Sequence, residues 1–253
     1  MKLGYILAIS AMIAAVGAIT FRFVAPTHYG FKSNEKGFAV VELFTSEGCS
    51  SCPPADKLVA STLEQDKNKP VYILSYHVDY WDRLGWKDKF SDAAYTERQQ
   101  EYADWLHENS VYTPQIVVNG KEEFVGSNKA ALDKALSKSL SDSAKNTLDI
   151  EASVGNNQVN VQYTTANIPQ DVNLVVSLIQ KAAETSVKGG ENSGRKLSHV
   201  QIVRKQIVRL LSSNSGSLII TLPPDFSDNE WEVIGFIQNK SNGNILCAAK
   251  STL

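Results

Sequence analysis

The stretch Phe38–Pro54, FAVVELFTSEGCSSCPP, decides how the first half of the chain is expected to fold. A short apolar run leads into a turn that carries Cys49 and Cys52, and a helical pattern follows. Cysteines at the start of a helix lie near free backbone N–H groups and the positive end of the helix dipole, which favour the thiolate of the first cysteine. The C-x-x-C spacing alone is also compatible with half a zinc site or with a structural disulfide.

The residues that follow this stretch predict a β-α-β-α-β-β-α order. The predicted elements are strands at Phe38–Thr45 and Val71–Val78, helices at Ala55–Gln65 and Ser91–Asn109, strands at Gln115–Asn119 and Lys121–Val125, and a helix that begins after Ser127 or Asn128. The first two strands are apolar on both faces, which is typical of central parallel strands, and a right-handed crossover should join them. Asn119-Gly120 is a hairpin turn signal, so the last two strands are expected to pair antiparallel.

The second half of the chain has a different pattern. Seven short apolar or alternating runs follow one another from Thr147 onward, separated by Gly, Pro and Asn turn signals. This spacing predicts an all-β, sandwich-like domain. The predicted division is a leader at 1–24, a linker at 25–37, an α/β domain at 38–146 and the β-rich domain at 147–253.

The first residues of the chain predict export. Lys2 precedes Leu3–Phe21, which is uncharged and mostly apolar. The segment fits a signal peptide, with Val16-Gly17-Ala18 as its cleavage site, and it is also long enough to be a single membrane anchor. Either interpretation predicts a folded part that is periplasmic or secreted, tethered to the membrane if the segment is retained, in a compartment where disulfides persist.

Composition and charge exclude several classes of function. Hydrophobic residues make up 43% of the chain and charged residues 21%, as in a globular protein. The formal net charge is −2 with acids and bases interspersed, so no nucleic-acid partner is expected. The only cysteine besides Cys49 and Cys52 is Cys247, in an apolar run that predicts a buried, inert thiol. With no second C-x-x-C, a closed zinc site is not expected, and no cofactor is predicted.

Two motifs together resemble the thioredoxin fold over residues 38–141. One is Cys49-Ser50-Ser51-Cys52 after VVELFTSEG, and the other is Tyr112-Thr113-Pro114 before QIVVNGKEEFVG. The resemblance implies an α/β thioredoxin-like domain with a mixed sheet. More narrowly, the whole chain resembles a bacterial family of exported thioredoxin-like proteins with no assigned function. The stretches that carry this resemblance are ELFTSEGCSSCPPAD, SYHVDYWDRLGWKDKFS, YTPQIVVNG and GGENSGRKLSHVQIVR.

The thioredoxin resemblance implies a role for each matching residue. Cys49 would be the exposed attacking thiolate and Cys52 the resolving thiol. Pro114 would be a cis-proline that faces the pair, and the backbone of Thr113 would bind a substrate peptide. Glu42 would take the place of the buried carboxylate that assists proton transfer to the resolving thiol. The implied activity is thiol–disulfide exchange with a protein dithiol or disulfide as partner.

A second interpretation of the cysteine pair is metal delivery. Cys49 and Cys52 with His77 would suit a soft metal such as Cu(I), and Asp79 and His107 are further candidate ligands. The simpler interpretation of His77 is a residue that ends a strand in a polar loop.

A third interpretation is a non-enzymatic binding protein in which the C-x-x-C disulfide is structural. The polar loop Gly190–Arg195, with His199 after it, would then form the binding site, although a connection between strands also needs such turn residues. An aromatic cluster in the segment after the second strand either forms a lip over the C-x-x-C or packs as a satellite core. Its members are Tyr80, Trp81, Trp86 and Phe90.

Overall fold

The computed structural model of this chain describes residues 37–227 and 230–253. The predicted leader and almost the whole predicted linker therefore lie outside the described residues. Within the described part of the chain, no helix is both long and apolar enough to cross a membrane.

The helices and strands follow the order that the sequence predicts. The first half contains β1 (Ala39–Thr45), α1 (Pro53–Gln65), β2 (Val71–His77), α2 (Ala93–Leu106), β3 (Gln115–Val118), β4 (Glu122–Val125) and α3 (Lys129–Ser141). The second half contains β5 (Thr147–Gly155), β6 (Gln158–Ala166), β7 (Val172–Ser186), β8 (Lys196–Leu210), β9 (Ser215–Thr221), β10 (Trp231–Asn239) and β11 (Ile245–Thr252). All seven predicted strands of the second half are present, and β7 and β8 are longer than their apolar runs.

Helix α1 begins immediately after the second cysteine of the C-x-x-C. Pro53 and Pro54 occupy its first turn, where a missing N–H group costs little. Cys52 is the N-cap residue and makes no side-chain capping hydrogen bond. Neither Ser50 nor Ser51 caps this helix, because it begins at Pro53 with Cys52 in the capping position.

The strands form a mixed eight-stranded sheet and a separate three-stranded sheet. The large sheet has the order β11-β10-β7-β8-β2-β1-β3-β4, and the small sheet has the order β5-β6-β9. β1 and β2 are parallel, and β3 and β4 form an antiparallel hairpin, as predicted.

The large sheet continues from the first half of the chain into the second. β8 joins β2 in parallel, with Ser75 opposite Ile202, and Ser75 Oγ donates a hydrogen bond to the Val200 carbonyl oxygen at 2.8 Å. This junction was not predicted, because the choice of a partner strand far away in sequence leaves no local signal. It pairs an edge of β2 that would otherwise leave backbone groups of a buried strand unsatisfied.

The β-rich half does contain two packed sheets. Leu148 and Ile150 of β5, with Val161 of β6, pack against Val176 of β7 and Val233 of β10 in one buried cluster. One layer of this sandwich is therefore part of the same sheet that carries β1 to β4.

Alternation along β1 assigns its side chains to two different faces of the large sheet. Val41 and Leu43 pack with Ala55 of helix α1. Phe44 packs with Tyr102 of helix α2 on the opposite face. Because successive side chains of a strand point to opposite faces, the parity of a β1 residue decides which helix it meets.

Candidate functional site

Cys49 and Cys52 form a disulfide between the end of β1 and the start of α1. Both cysteines are fully buried, at 0% relative exposure, whereas Ser50 and Ser51 between them are exposed. The implied exposure of Cys49 is therefore wrong for this structure. The reason is that segments from both halves of the chain lie on the C-x-x-C turn.

The Thr113–Pro114 peptide bond is cis, as predicted. The Gly126 N–H donates to the Pro114 carbonyl oxygen at 2.9 Å. A Cβ placed on Gly126 would lie 3.0 Å from Pro114 Cβ and 3.1 Å from Ala55 Cβ. Pro114 therefore lies close to the first turn of helix α1, which begins directly after Cys52.

Trp81 connects the C-x-x-C turn with the segment that contains the cis-proline. Its Nε1 donates a hydrogen bond to Thr113 Oγ1 at 2.8 Å. A Cβ placed on Gly48, the residue before Cys49, would lie 3.1 Å from Trp81 Cβ. Both interpretations of the aromatic cluster apply, because Trp81 lies beside the disulfide while Tyr80 and Trp81 also pack against the buried cluster that contains Phe44.

The polar loop Gly190–Arg195 contacts the C-x-x-C turn directly. Asn192 is fully buried, and its Nδ2 donates hydrogen bonds to the carbonyl oxygens of Glu47 and Cys49, each at 2.9 Å. Arg195 Nη1 donates to Asn192 Oδ1 at 2.6 Å, which fixes the orientation of the amide. The second half of the chain therefore supplies part of the site.

Glu42 lies on the other face of the sheet from helix α1. Arg98 Nε donates to Glu42 Oε1 at 2.7 Å, and the Tyr102 hydroxyl donates to Glu42 Oε2. Both residues belong to α2, and Glu42 shares the parity of Phe44 on β1. The structure therefore does not bring Glu42 together with Cys52, and its partners are those of a buried ion pair.

A different buried carboxylate, Asp56, lies on the helix that carries Cys52. The two residues are four positions apart, which places them on the same helix face, and the Asp56 N–H donates to the Cys52 carbonyl oxygen at 3.1 Å. Thr45 Oγ1 donates to Asp56 Oδ1 at 3.2 Å. Burial raises the pKa of Asp56 to about 7, against a smaller opposing attraction from His77. Asp56 can therefore exchange a proton near neutral pH.

His77 and Asp88 form a buried pair at the carboxyl end of β2. His77 Nδ1 lies 2.6 Å from Asp88 Oδ2, and the Glu47 N–H donates to the same oxygen at 2.8 Å. Burial opposes protonation of His77, but the nearby carboxylate of Asp88 outweighs it and raises the pKa of His77. Burial would raise the pKa of Asp88, yet His77 and two backbone N–H groups hold that pKa below its usual value.

His199 lies between two buried carboxyl groups without bonding to either. Its Nε2 is 3.6 Å from Glu47 Oε1, and its Nδ1 is 3.8 Å from Asp56 Oδ2. Neither ring nitrogen has a hydrogen-bond partner among the described residues. Burial, reinforced by the charge of His77, lowers the pKa of His199 to about 3. Burial, reinforced by Asp88, raises the pKa of Glu47.

The metal-binding interpretation finds no ready-made set of ligands. Within residues 37–227 and 230–253, no group of three or more His, Cys, Asp or Glu side chains is arranged to hold a metal ion. His77 pairs with Asp88, Asp79 accepts a hydrogen bond from Thr96, and His107 ends helix α2 with a φ of 58°.

Comparison with known proteins gives a family for the chain. The profile of the family described as "protein of unknown function (DUF1223)" matches residues 40–238, well over half of the sequence. The chain belongs to the DUF1223 family. No curated protein matches it.

Solved structures that resemble this DUF1223 protein include two that align with most of the chain. A crystal structure of the Agrobacterium tumefaciens protein AGR_C_4864 is 27% identical with a TM-score of 0.64, over 87% of this chain and 96% of that one. HBP35 of Porphyromonas gingivalis is 17% identical with a TM-score of 0.62, over 88% of this chain and 77% of that one. At this lower identity, the second similarity shows a common fold alone.

Sequence reasoning missed most of the polar residues around the disulfide of this DUF1223 protein. The missed residues are Glu47, Asp56 and Asp88. Asp56 had a usable signal, since it follows Cys52 at helical spacing and precedes an apolar run. Asn192 lies in the polar loop Gly190–Arg195 that the sequence singled out, but no local signal indicated its contact with Cys49, 143 positions away.

Proposed function

We propose that this protein is an exported thiol–disulfide oxidoreductase that acts on protein dithiols or disulfides through Cys49 and Cys52. The observation that carries the proposal is a C-x-x-C disulfide at the start of helix α1, near the cis Thr113–Pro114 bond. A thiol pair at a helix start beside a backbone segment that can bind peptide has the parts that thiol–disulfide exchange needs.

The strand order supports a thioredoxin-like assignment for residues 38–146. The segment β2-β1-β3-β4 has parallel β1 and β2 followed by an antiparallel hairpin, with α1 and α3 on one face and α2 on the other. The resemblance drawn from the two sequence motifs implies this arrangement. The assignment is part of the proposal, since the comparisons name a family of unknown function.

The exchange is balanced in electrons and protons. The Cys49 thiolate attacks a substrate disulfide, a mixed disulfide forms, and the first substrate sulfur leaves as a thiolate that takes up a proton. Cys52 then loses its proton and attacks Cys49 Sγ, which releases the second substrate thiolate. The substrate gains two electrons and two protons, and the protein dithiol becomes the disulfide.

Asp56 is the residue we propose for proton transfer with Cys52, in place of Glu42. The resolving thiol must lose a proton in a buried site, where bulk water does not reach it. Asp56 lies on the same face of helix α1 as Cys52, and its pKa, raised by burial to about 7, suits both acceptance and return of the proton. Glu42 lies on the side of the sheet that faces α2, and its carboxylate forms an ion pair with Arg98.

Export is proposed from the sequence of the leader. Lys2 followed by the apolar segment Leu3–Phe21 fits a signal peptide or an anchor. An oxidising compartment such as the periplasm is also where a disulfide between Cys49 and Cys52 would persist.

A redox titration with thiol trapping tests the proposed function. The wild type should exchange with a reduced, unfolded protein, and Cys49→Ser should abolish exchange. With a protein that contains a disulfide, Cys52→Ser should accumulate a mixed disulfide, because its Cys49 thiolate attacks that disulfide and no resolving thiol follows. Cys247→Ser is the matched control, because burial raises the pKa of Cys247 to about 12 and keeps it unreactive. No exchange by the wild type and no trapped species would exclude an oxidoreductase.

One observation favours a second candidate, a binding protein with a structural disulfide. Both cysteines are fully buried, as in disulfides that only stabilise. Closing so short a loop should stabilise the fold by about 2 kcal/mol on the chain-entropy model. Under this alternative, replacing both cysteines with alanine lowers stability by that amount and leaves the binding of a partner at Gly190–Arg195 unchanged.

A further inference from the structure

The loop between β7 and β8, residues 189–195, lies on the C-x-x-C turn and on the aromatic segment beside it. A Cβ placed on Gly189 would lie 2.3 Å from the Gly85 carbonyl oxygen, so the two backbones are in close contact. Gly190 and Gly194 have φ values of 66° and 80°, which non-glycine residues adopt with difficulty. The loop therefore depends on glycine for both its path and its close approach.

Two neighbouring side chains of this loop hold the C-x-x-C turn. Asn192 is buried and donates to the carbonyl oxygens of Glu47 and Cys49, each at 2.9 Å. Glu191 is at the surface, and its Oε2 accepts a hydrogen bond from the Ser50 N–H at 3.0 Å. The residues on both sides of Cys49 are therefore bonded to the same loop.

A closed loop is incompatible with exchange at Cys49. A substrate thiolate must approach Cys49 Sγ in line with the Cys49–Cys52 bond, and Cys49 is 0% exposed. The bonds that keep the loop in place are hydrogen bonds between neutral groups inside the site and one exposed charged contact. Bonds of this kind are individually weak in water, so the loop can open without unfolding the sheet.

We propose that the 189–195 loop controls access to the Cys49–Cys52 disulfide, with Asn192 as the positioning residue that holds the loop closed. This inference rests on the proposed function. In the closed state the disulfide is inaccessible. When Asn192 leaves the carbonyl oxygens of Glu47 and Cys49, the disulfide is uncovered beside Trp81 and Thr113.

The step that follows opening is balanced. A thiolate of the substrate dithiol attacks Cys49 Sγ, the Cys49–Cys52 bond breaks, and its electron pair goes to Cys52 Sγ, which takes up a proton. The second substrate thiol loses its proton and attacks the substrate sulfur of the mixed disulfide, which releases the Cys49 thiolate. The substrate dithiol is oxidised, and the protein disulfide is reduced.

Rates of reduction in the full chain test the role of Asn192. The probes are a small phosphine reductant and a reduced, unfolded protein such as lysozyme. Asn192→Ala should raise the rate with both probes by about tenfold, since it removes two hydrogen bonds that hold the closed state. Asn160→Ala is the matched control, an exposed asparagine on β6, and should match the wild type. Equal rates for the two variants would overturn the proposal.

A measurement on the wild type keeps the proposal open to disproof if Asn192→Ala does not fold. The phosphine should reduce the wild type at least about tenfold more slowly than a short peptide with the same Cys-Ser-Ser-Cys disulfide, because the loop covers the disulfide of the folded protein. An equal rate for the protein and the peptide would contradict a covering loop.

The two probes separate this proposal from the proposed function. If Asn192→Ala accelerates phosphine reduction but no variant exchanges with the protein dithiol, the loop covers the disulfide and the oxidoreductase proposal fails. If the wild type exchanges with the protein dithiol and Asn192→Ala changes neither rate, the oxidoreductase proposal stands and the role of the loop is refuted.

Discussion

Arg98 Nε lies 2.7 Å from Glu42 Oε1, and both side chains are buried between β1 and α2. Arg98→Met should therefore lower the free energy of unfolding by about 3–5 kcal/mol, because it leaves the Glu42 carboxylate buried without its partner. Urea denaturation measures this change. Lys129→Met is the control, since it breaks an exposed pair with Asp133 and should cost no more than about 1 kcal/mol. If Arg98→Met lowered the free energy of unfolding by no more than the control does, the result would contradict a buried pair of Arg98 and Glu42.

The raised pKa of Asp56 predicts a specific pH dependence of stability. A carboxyl group with a pKa of about 7 when folded and about 3.9 when unfolded contributes stability that is complete below about pH 4 and is lost as the pH rises through 7. Asp56→Asn should remove this loss. Between pH 4 and pH 8, the free energy of unfolding of the variant should therefore rise by about 4 kcal/mol relative to that of the wild type. Urea denaturation at several pH values measures the difference.

Asp133→Asn is the control for this pH series, because Asp133 is an exposed carboxylate on α3. Its free energy of unfolding should stay within about 1 kcal/mol of the wild type at every pH, since only the exposed pair with Lys129 is lost. If the free energy of unfolding of Asp56→Asn also changes with pH as that of the wild type does, Asp56 does not titrate near neutral pH and is not the proton-transfer group.

The two buried histidines should differ in charge although their rings are neighbours. Their ring centroids are 4.8 Å apart, yet Asp88 raises the pKa of His77, while burial lowers that of His199 to about 3. At pH 6, nitrogen NMR should find His77 protonated and His199 neutral. His77 therefore adds stability below its unfolded pKa of about 6.5, and this is lost as the pH rises through its folded pKa.

Asp88→Asn tests the same pair from its other side. The variant should move the His77 signals toward the neutral form and leave the His199 signals in the neutral form. Identical His77 spectra with and without the Asp88 carboxylate would show that another group sets its charge.

A side chain at Gly126 should disturb the packing of the cis-proline segment against α1. A Cβ at this position would lie 3.0 Å from Pro114 Cβ and 3.1 Å from Ala55 Cβ, so these neighbours must move by a few tenths of an ångström. Gly126→Ala should lower stability by about 1–3 kcal/mol and slow the proposed exchange with protein substrates. Gly155→Ala is the control, because its Cβ would be 4.0 Å from Asn160 Nδ2, an ordinary contact. Equal stability of the two variants would contradict this packing.

The parts of the fold that depend on local pattern could be predicted from the sequence. Apolar runs, helical spacing and the Asn119-Gly120 turn signal located the helices and strands, and the Tyr112-Thr113-Pro114 motif located the cis bond. The pairing of β8 with β2 could not be predicted in this way, since it joins strands more than a hundred residues apart. The two-sheet packing of the second half was predicted. That one of the two layers belongs to the same sheet as β1 to β4 was not predicted.

The candidate site was harder to predict, because its chemistry depends on which side chains are buried and on which face of a strand or helix each one lies. Glu42 and Asp56 are both acidic residues near the cysteines in sequence, and the sequence favoured Glu42 by its resemblance. Strand parity places Glu42 on the α2 face, whereas helical spacing places Asp56 on the face of Cys52. The buried Asn192 entered the site through a tertiary contact that no motif marks.

The pairing of Ser75 with Ile202 means that neither half of this chain is an independent module. Expressed without the second half, residues 37–146 would present the edge of β2, a strand that is buried along its whole length, to any other strand in solution. Such an edge promotes self-association, so a shortened chain should be recovered as aggregate rather than as a folded monomer. A genetic fusion or exchange of parts that uses this protein must therefore carry both halves together.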